Sequence, residues 1–162
     1  CPLGRIRIAW QLVTIDTLDT RTLFTLMKLR VDVFVVEQAC AYPELDAHDT
    51  DPSTRHMIGW RHGELAAYAR LLAPGKSFSG SSIGRVIIAP AHRNGRWGHQ
   101  LVSQAIQTCQ QQWPGTDIEI GAQSHLQRFY QQHGFVAYSD AYLEDGIPHI
   151  DMRLSASEAS AV

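Results

Sequence analysis

The chain has 162 residues, 44% apolar and 19% charged, with a net charge of −2. That composition describes one globular domain with a proper core and excludes a disordered chain; it also lacks the basic excess of a nucleic-acid surface. No apolar run is long enough to span a bilayer and no signal peptide is read at the start, while Cys1, Cys40 and Cys109 lack metal-like spacing, so reduced thiols in a cytoplasm are expected.

Ile6 to Val13 alternates weakly and predicts a first, edge strand. Asp19 or Thr20 caps a helix with Leu23, Leu26, Met27, Val33 and Phe34 on one face, ending or kinking near Glu37. Cys40 to Pro52 reads as a polar, acidic loop. Met57 to Arg61 and Leu65 to Leu72 flank His62-Gly63, a two-residue hairpin connection. Pro74 to Ser82 is a loop, and Ile83 to Ala89 a β-branched strand stopped by Pro90. From about Trp97 a helix carries Leu101, Val102, Ala105, Ile106 and Cys109 at three- and four-residue spacing. Trp113-Pro114-Gly115 marks a turn, Ile118 to Gly121 a strand, and Ser124 to His133 a helix closed by Gly134. Phe135 to Tyr142 and His149 to Leu154 give the last two strands, and Ser155 to Val162 a frayed tail. The order predicts an α/β fold with a mixed sheet and helices on both faces, in a single domain spanning 1–162.

Chemistry concentrates between Ile83 and Leu101. There Arg93-Asn94-Gly95-Arg96-Trp97-Gly98 joins a strand to a helix, with flexible and basic positions interleaved. A turn that opens a helix presents unpaired backbone N–H groups in a positive potential, and two arginines add to it. A pyrophosphate site is therefore expected. No G-x-x-x-x-G-K-[ST] loop and no G-x-G-x-x-G is present. The eight histidines show no H-x-x-x-H or Cys/His pairing, so no metal is expected.

This stretch resembles the coenzyme A turn of the GNAT N-acetyltransferases, (Q/R)-x-x-G-x-(G/A), with Arg93 in the first position and Gly98 in the last. Arg96 stands where that family has glycine; an arginine there is expected to keep φ below zero and lay its side chain over the phosphates. Blocks along nearly the whole chain sharpen the resemblance to the ElaA-like branch: Leu29 to Gln38, Ala67 to Leu72, Ile83 to Val86, Gly121 to Gln127 with Phe129-Tyr130 and Gly134-Phe135, and Tyr142 to Ile150.

The resemblance implies a GNAT fold in which the strands ending near Ala89 and Gly121 splay apart. Acetyl-CoA would enter there, its pantetheine arm pairing with the free groups of Val86 and Ile88 beside Ile87, and its diphosphate held by Arg93, Asn94, Gly95, Arg96, Trp97 and Gly98. The Ile88 N–H would polarise the thioester carbonyl and Tyr130 would protonate the departing thiolate. The base stays open between Glu37, whose pKa would rise if buried, and His149, with Glu119 or a water chain as alternatives; alternation points Glu119 to solvent. Glu144 and Asp145, with Glu44, Asp46, Asp49 and Asp51, would rim the site and attract a cationic primary amine. The expected protein is a cytoplasmic N-acetyltransferase, a monomer or homodimer, working without metal. The alternatives are a non-catalytic acyl-CoA sensor and an acyltransferase with a longer acyl donor.

Overall fold

The computed structural model describes residues 7–156. The chain divides into two compact units, Cys1–Arg70 with Arg85–Leu101, and Leu71–Gly84 with Val102–Val162. The expected strand start at Ile6 and the tail beyond Ala156 lie outside the described residues. No helix among those residues is long and apolar enough to cross a membrane.

In the first unit, β1 (Ala9–Val13) runs antiparallel to β2 (Arg55–Arg61), from Ala9↔Trp60 to Val13↔His56. The chain turns into β3 (Glu64–Leu72) through His62 at φ +52° and Gly63 at φ +73°, the left-handed pair that matches strand twist in a two-residue hairpin. Helix α1 (Thr20–Val31) starts at Asp19, whose carboxylate accepts the Thr22 N–H at 2.9 Å. It runs on as a π-helical turn over Asp32–Glu37, so the expected kink is a widening of the helix. Leu26 and Val33 bury against Val13, Ile58, Leu65, Tyr68 and Ile87. The latter half of β4 (Ser81–Ile88) also belongs here, and Arg85 within it takes φ +52°.

The same unit holds a buried charge network that revises the reading of the acidic loop. Arg30 is fully buried on α1 and grips Asp49 with both terminal nitrogens, at 2.6 and 3.2 Å. Its Nε and one terminal nitrogen also reach the Glu44 carboxylate, at 3.3 Å. Arg70 donates to Asp46 and Asp49, and Arg85 to Glu44. Glu44 and Asp49 are 3% and 4% exposed, so these carboxylates neutralise buried arginines instead of rimming a cleft as free anions. A short 3₁₀ turn, Ala47–Thr50, capped by Asp46, shapes the loop.

In the second unit, the start of β4 pairs parallel with β5 (Ile118–Gln123) at only two rungs, Ser81↔Ile118 and Ser82↔Glu119. Strand β5 is then covered antiparallel by β8 (Ile147–Leu154) from Ile118↔Leu154 to Gln123↔His149. The expected strand Phe135–Tyr142 is two short ones, β6 (Val136–Ala137) and β7 (Tyr142–Glu144), each pairing with β8. Helix α2 (Gly98–Gln112) begins in the first unit; from Val102 it belongs to the second, with Val102, Ala105, Ile106 and Cys109 buried as their spacing predicts. The expected helix over Ser124–His133 is a 3₁₀ turn, Ser124–Leu126, followed by α3 (Gln127–Gln131), with Gly134 at φ +94° beyond it. The strands thus belong to a mixed α/β sheet, antiparallel except where the start of β4 runs parallel to β5.

Candidate active site

Strand β4 delivers Val86, Ile87 and Ile88 with alternating burial. Ile87 is anchored in the first unit's core, while Val86 and Ile88 are half-buried. The Ala89 N–H is committed to the Ala66 carbonyl at 2.8 Å, and the Ile88 carbonyl accepts from Arg93 Nε at 3.2 Å. Pro90 then opens a 3₁₀ turn, Pro90–Gly95, its fixed φ suiting a first helical position. Arg93, Asn94, Gly95 and Arg96 are exposed, Trp97 and Gly98 half-buried, and α2 begins at Gly98.

Arg96 corrects the expectation for its backbone: it lies at φ +56°, ψ +44°, the left-handed region where glycine is at ease. The arginine therefore keeps the glycine-like conformation of the turn instead of abandoning it. The neighbouring Gly95 has a different reason for being glycine. A Cβ there would lie 1.9 Å from the Trp97 indole nitrogen.

Behind Trp97 stands a buttress that sequence reasoning missed. The Arg61 guanidinium lies 4.6 Å from the indole centroid and donates to His92 Nδ1 at 3.0 Å. His92 is 7% exposed, and its Nε2 meets Glu64 at 2.9 Å. Arginine only donates, so Nδ1 must accept and Nε2 must carry the hydrogen that Glu64 receives. His92, in Pro90-Ala91-His92 just ahead of the motif, and Arg61, beside the hairpin, were the only sequence signals.

Glu37, last residue of the π-helical turn, is paired with Arg93 at 2.5 and 2.9 Å. Both side chains are well exposed, at 45% and 40%. The Arg93 guanidinium holds the Glu37 carboxyl below the usual carboxylate range, which reverses the expectation of a raised pKa by burial. Glu37, Arg93 and Ile88 are thus brought together in one cluster.

In the second unit, Tyr130 on α3 is 7% exposed and packs edge-on against Phe129 and Phe135. Its hydroxyl makes no hydrogen bond to a described residue, and burial pushes its pKa up to about 12. The phenol is therefore held protonated.

His149 on β8 stacks on Tyr142 and donates from Nδ1 to the Ile147 carbonyl at 2.7 Å. Since a carbonyl cannot donate, Nε2 is the nitrogen left to take a proton, and it lies 3.6 Å from a Glu144 oxygen. Asp145 and Gly146 form the left-handed two-residue turn between β7 and β8, at φ +50° and +78°.

Glu119 is not solvent-facing as alternation suggested. It is 2% exposed and accepts from the Gly80 N–H at 2.7 Å, Arg153 at 3.0 Å, and the Ser79 and Tyr138 hydroxyls at 3.1 Å each. Burial pushes its pKa up, but these donors outweigh that and hold it below the ordinary value. Glu119 is a structural junction, with no free lone pair aimed at a substrate. Cys109 is also spoken for by the core: burial pushes its thiol up to about 12.

Known proteins share this arrangement of elements. Residues 26–156 match the family described as an acetyltransferase (GNAT) domain. The chain is 43% identical to protein ElaA of Escherichia coli K12 over 152 residues, 94% of this chain and 99% of that relative. The crystal structure of E. coli ElaA matches with a TM-score of 0.83, covering 90% of this chain and 98% of that one. An acyl-CoA N-acyltransferase from Pseudomonas aeruginosa matches with a TM-score of 0.86 at 42% identity, covering 91% and 99%.

Proposed function

The chain belongs to the GNAT acetyltransferase family, and on that premise we propose that it moves an acetyl group from acetyl-CoA directly to a primary amine in the cytoplasm. The observation that carries the reading is the continuous run from half-buried Val86 and Ile88, through the Pro90–Gly95 turn, to the start of α2. The half-buried positions of Val86 and Ile88 suit a pantetheine arm laid along β4, and the Asn94 to Gly98 amides with the α2 N-terminus suit a diphosphate.

In this reaction the amine must first lose a proton. His149 suits that step better than Glu37, because its Nε2 is an available acceptor while Glu37 is neutralised by Arg93. The amine nitrogen then attacks the thioester carbon, and the Ile88 N–H takes the developing oxyanion charge. On collapse the C–S bond breaks, the sulfur takes the Tyr130 proton, and the nitrogen gives its second proton to solvent, which restores the Tyr130 phenol. Tyr130 serves as this acid because its phenol is protonated and its hydroxyl uncommitted. Glu144, 60% exposed beside His149, suits the cation of the acceptor.

The test is mass spectrometry of small amines and peptides after incubation with acetyl-CoA. The expected result is a mass increase of one acetyl group on a cationic primary amine, with release of free coenzyme A. Coenzyme binding without transfer to any amine would instead make the protein a sensor, and turnover only with a longer acyl-CoA would refute the acetyl assignment.

A further inference from the structure

Arg93 is the first residue of the proposed coenzyme turn, yet its guanidinium already serves two other groups. Its terminal nitrogens hold both oxygens of Glu37, and its Nε–H sits on the Ile88 carbonyl. A guanidinium has five N–H donors in a fixed planar fork, and the two-pronged face of this one is filled by a carboxylate. A diphosphate arriving at the turn would meet that carboxylate as a like charge on the same arginine. A pantetheine amide reaching for the Ile88 carbonyl would meet the Nε–H. The pair faces water on both sides, so it is weak enough to be exchanged. The anion that would replace Glu37 carries more charge and is met in addition by the amides of the turn.

We propose that acyl-CoA binding exchanges the partner of Arg93: the diphosphate takes the guanidinium from Glu37, whose carboxylate is released to water. This rests on the acyl-CoA reading above and deepens it. Glu37 is then a positioning residue that acts through Arg93. It restrains coenzyme binding by holding the guanidinium that the diphosphate must take. No bond to carbon or sulfur is involved; one ion pair is traded for another.

The experiment measures coenzyme A affinity by calorimetry on the whole protein, on Glu37→Gln, on Arg93→Gln and on the double variant, with pantetheine as the probe that lacks the diphosphate. Glu37→Gln is expected to tighten coenzyme A binding about two- to fivefold, the scale of an exposed ion pair, and to leave pantetheine unaffected. In the Arg93→Gln background the gain should vanish, because the coupling runs through the guanidinium. Carbon-13 NMR of the Glu37 carboxyl should show its titration moving to higher pH on saturation with coenzyme A. Weaker or unchanged coenzyme binding in Glu37→Gln overturns the proposal, and so does a gain that persists without Arg93, which would be a general field effect. An unaltered protein that binds no coenzyme A refutes the acyl-CoA reading itself. One that binds it without this coupling refutes only the exchange.

Discussion

Replacing Asp49 by asparagine keeps the shape of the side chain and removes the charge that Arg30 and Arg70 share. Asp49 accepts from Arg30 at 2.6 and 3.2 Å and from Arg70 at 3.1 Å, with Arg30 fully buried. Breaking a buried pair from one side leaves an uncompensated charge and costs about 3–5 kcal/mol. The substituted amide would keep one acceptor oxygen and Glu44 remains within reach of Arg30, so the low end, about 3 kcal/mol, is expected. With an unfolding entropy of about 2.1 cal/mol/K per residue, 162 residues turn that into a fall in Tm of roughly 9 °C. The pH dependence gives a second reading of the same contact. Burial pushes the Asp49 carboxyl up, but Arg30, the Asp46 N–H and Arg70 outweigh it and lower it from 3.8 to about 2. A lowered folded pKa means the stabilisation is complete above pH 3.8 and is lost as pH falls toward 2. The stability gap between parent and variant should therefore shrink by about 2 kcal/mol across that window. Urea unfolding at pH 7, 4 and 2.5 measures both. A loss below about 1 kcal/mol at pH 7, or a gap that does not close in acid, refutes the ion-pair account.

Tyr130→Phe should lower kcat about a hundredfold while coenzyme A affinity stays nearly constant, since a proton donor acts in the transition state; an unchanged single-turnover rate removes it from the mechanism. Arg96→Gly should relieve about 1 kcal/mol of left-handed strain and lose about half of that to the freer unfolded chain, raising Tm by about 1–2 °C. The same change should weaken coenzyme A binding; an untouched affinity and salt dependence would show that Arg96 does not touch phosphate. Cys109, raised to about 12 and fully buried, should react with thiol reagents only as fast as the protein unfolds, so prompt labelling at neutral pH would contradict its placement.

Local periodicity carried much of the fold. The α2 stripe from Leu101 to Cys109 and the β-branched run before Ala89 were legible because burial of one face is a short-range pattern. The His62-Gly63 turn was legible because its chemistry sits in two residues. What stayed hidden was non-local. Arg30 lies between Leu26 and Val33 on the inward stripe, where a charged residue reads as an interruption until its carboxylates arrive from 14 and 19 residues away. Glu37 and Arg93 are separated by 56 positions, so nothing nearby announced that the candidate base was already neutralised. Glu119 obeys strand alternation only if its side has water, and Gly80, Tyr138 and Arg153 cover that side. Arg96 could not be read as left-handed, because an arginine gives no sign of the strain it accepts.

The loop between Cys40 and Pro52 has the composition of a protease target, yet its Glu44, Asp46 and Asp49 carboxylates are locked to arginines on α1, β3 and β4. A protease that cuts after acidic residues needs several residues of extended, accessible backbone, and Glu44 and Asp49 present almost none. Releasing either one requires buried guanidinium groups to be stripped of their counter-charges together, an event close to the opening of the whole first unit. Cleavage at this loop would then count global openings instead of surface fluctuations, with a rate set by the population of the open form. A segment that reads as a floppy connector works as a molecular fuse.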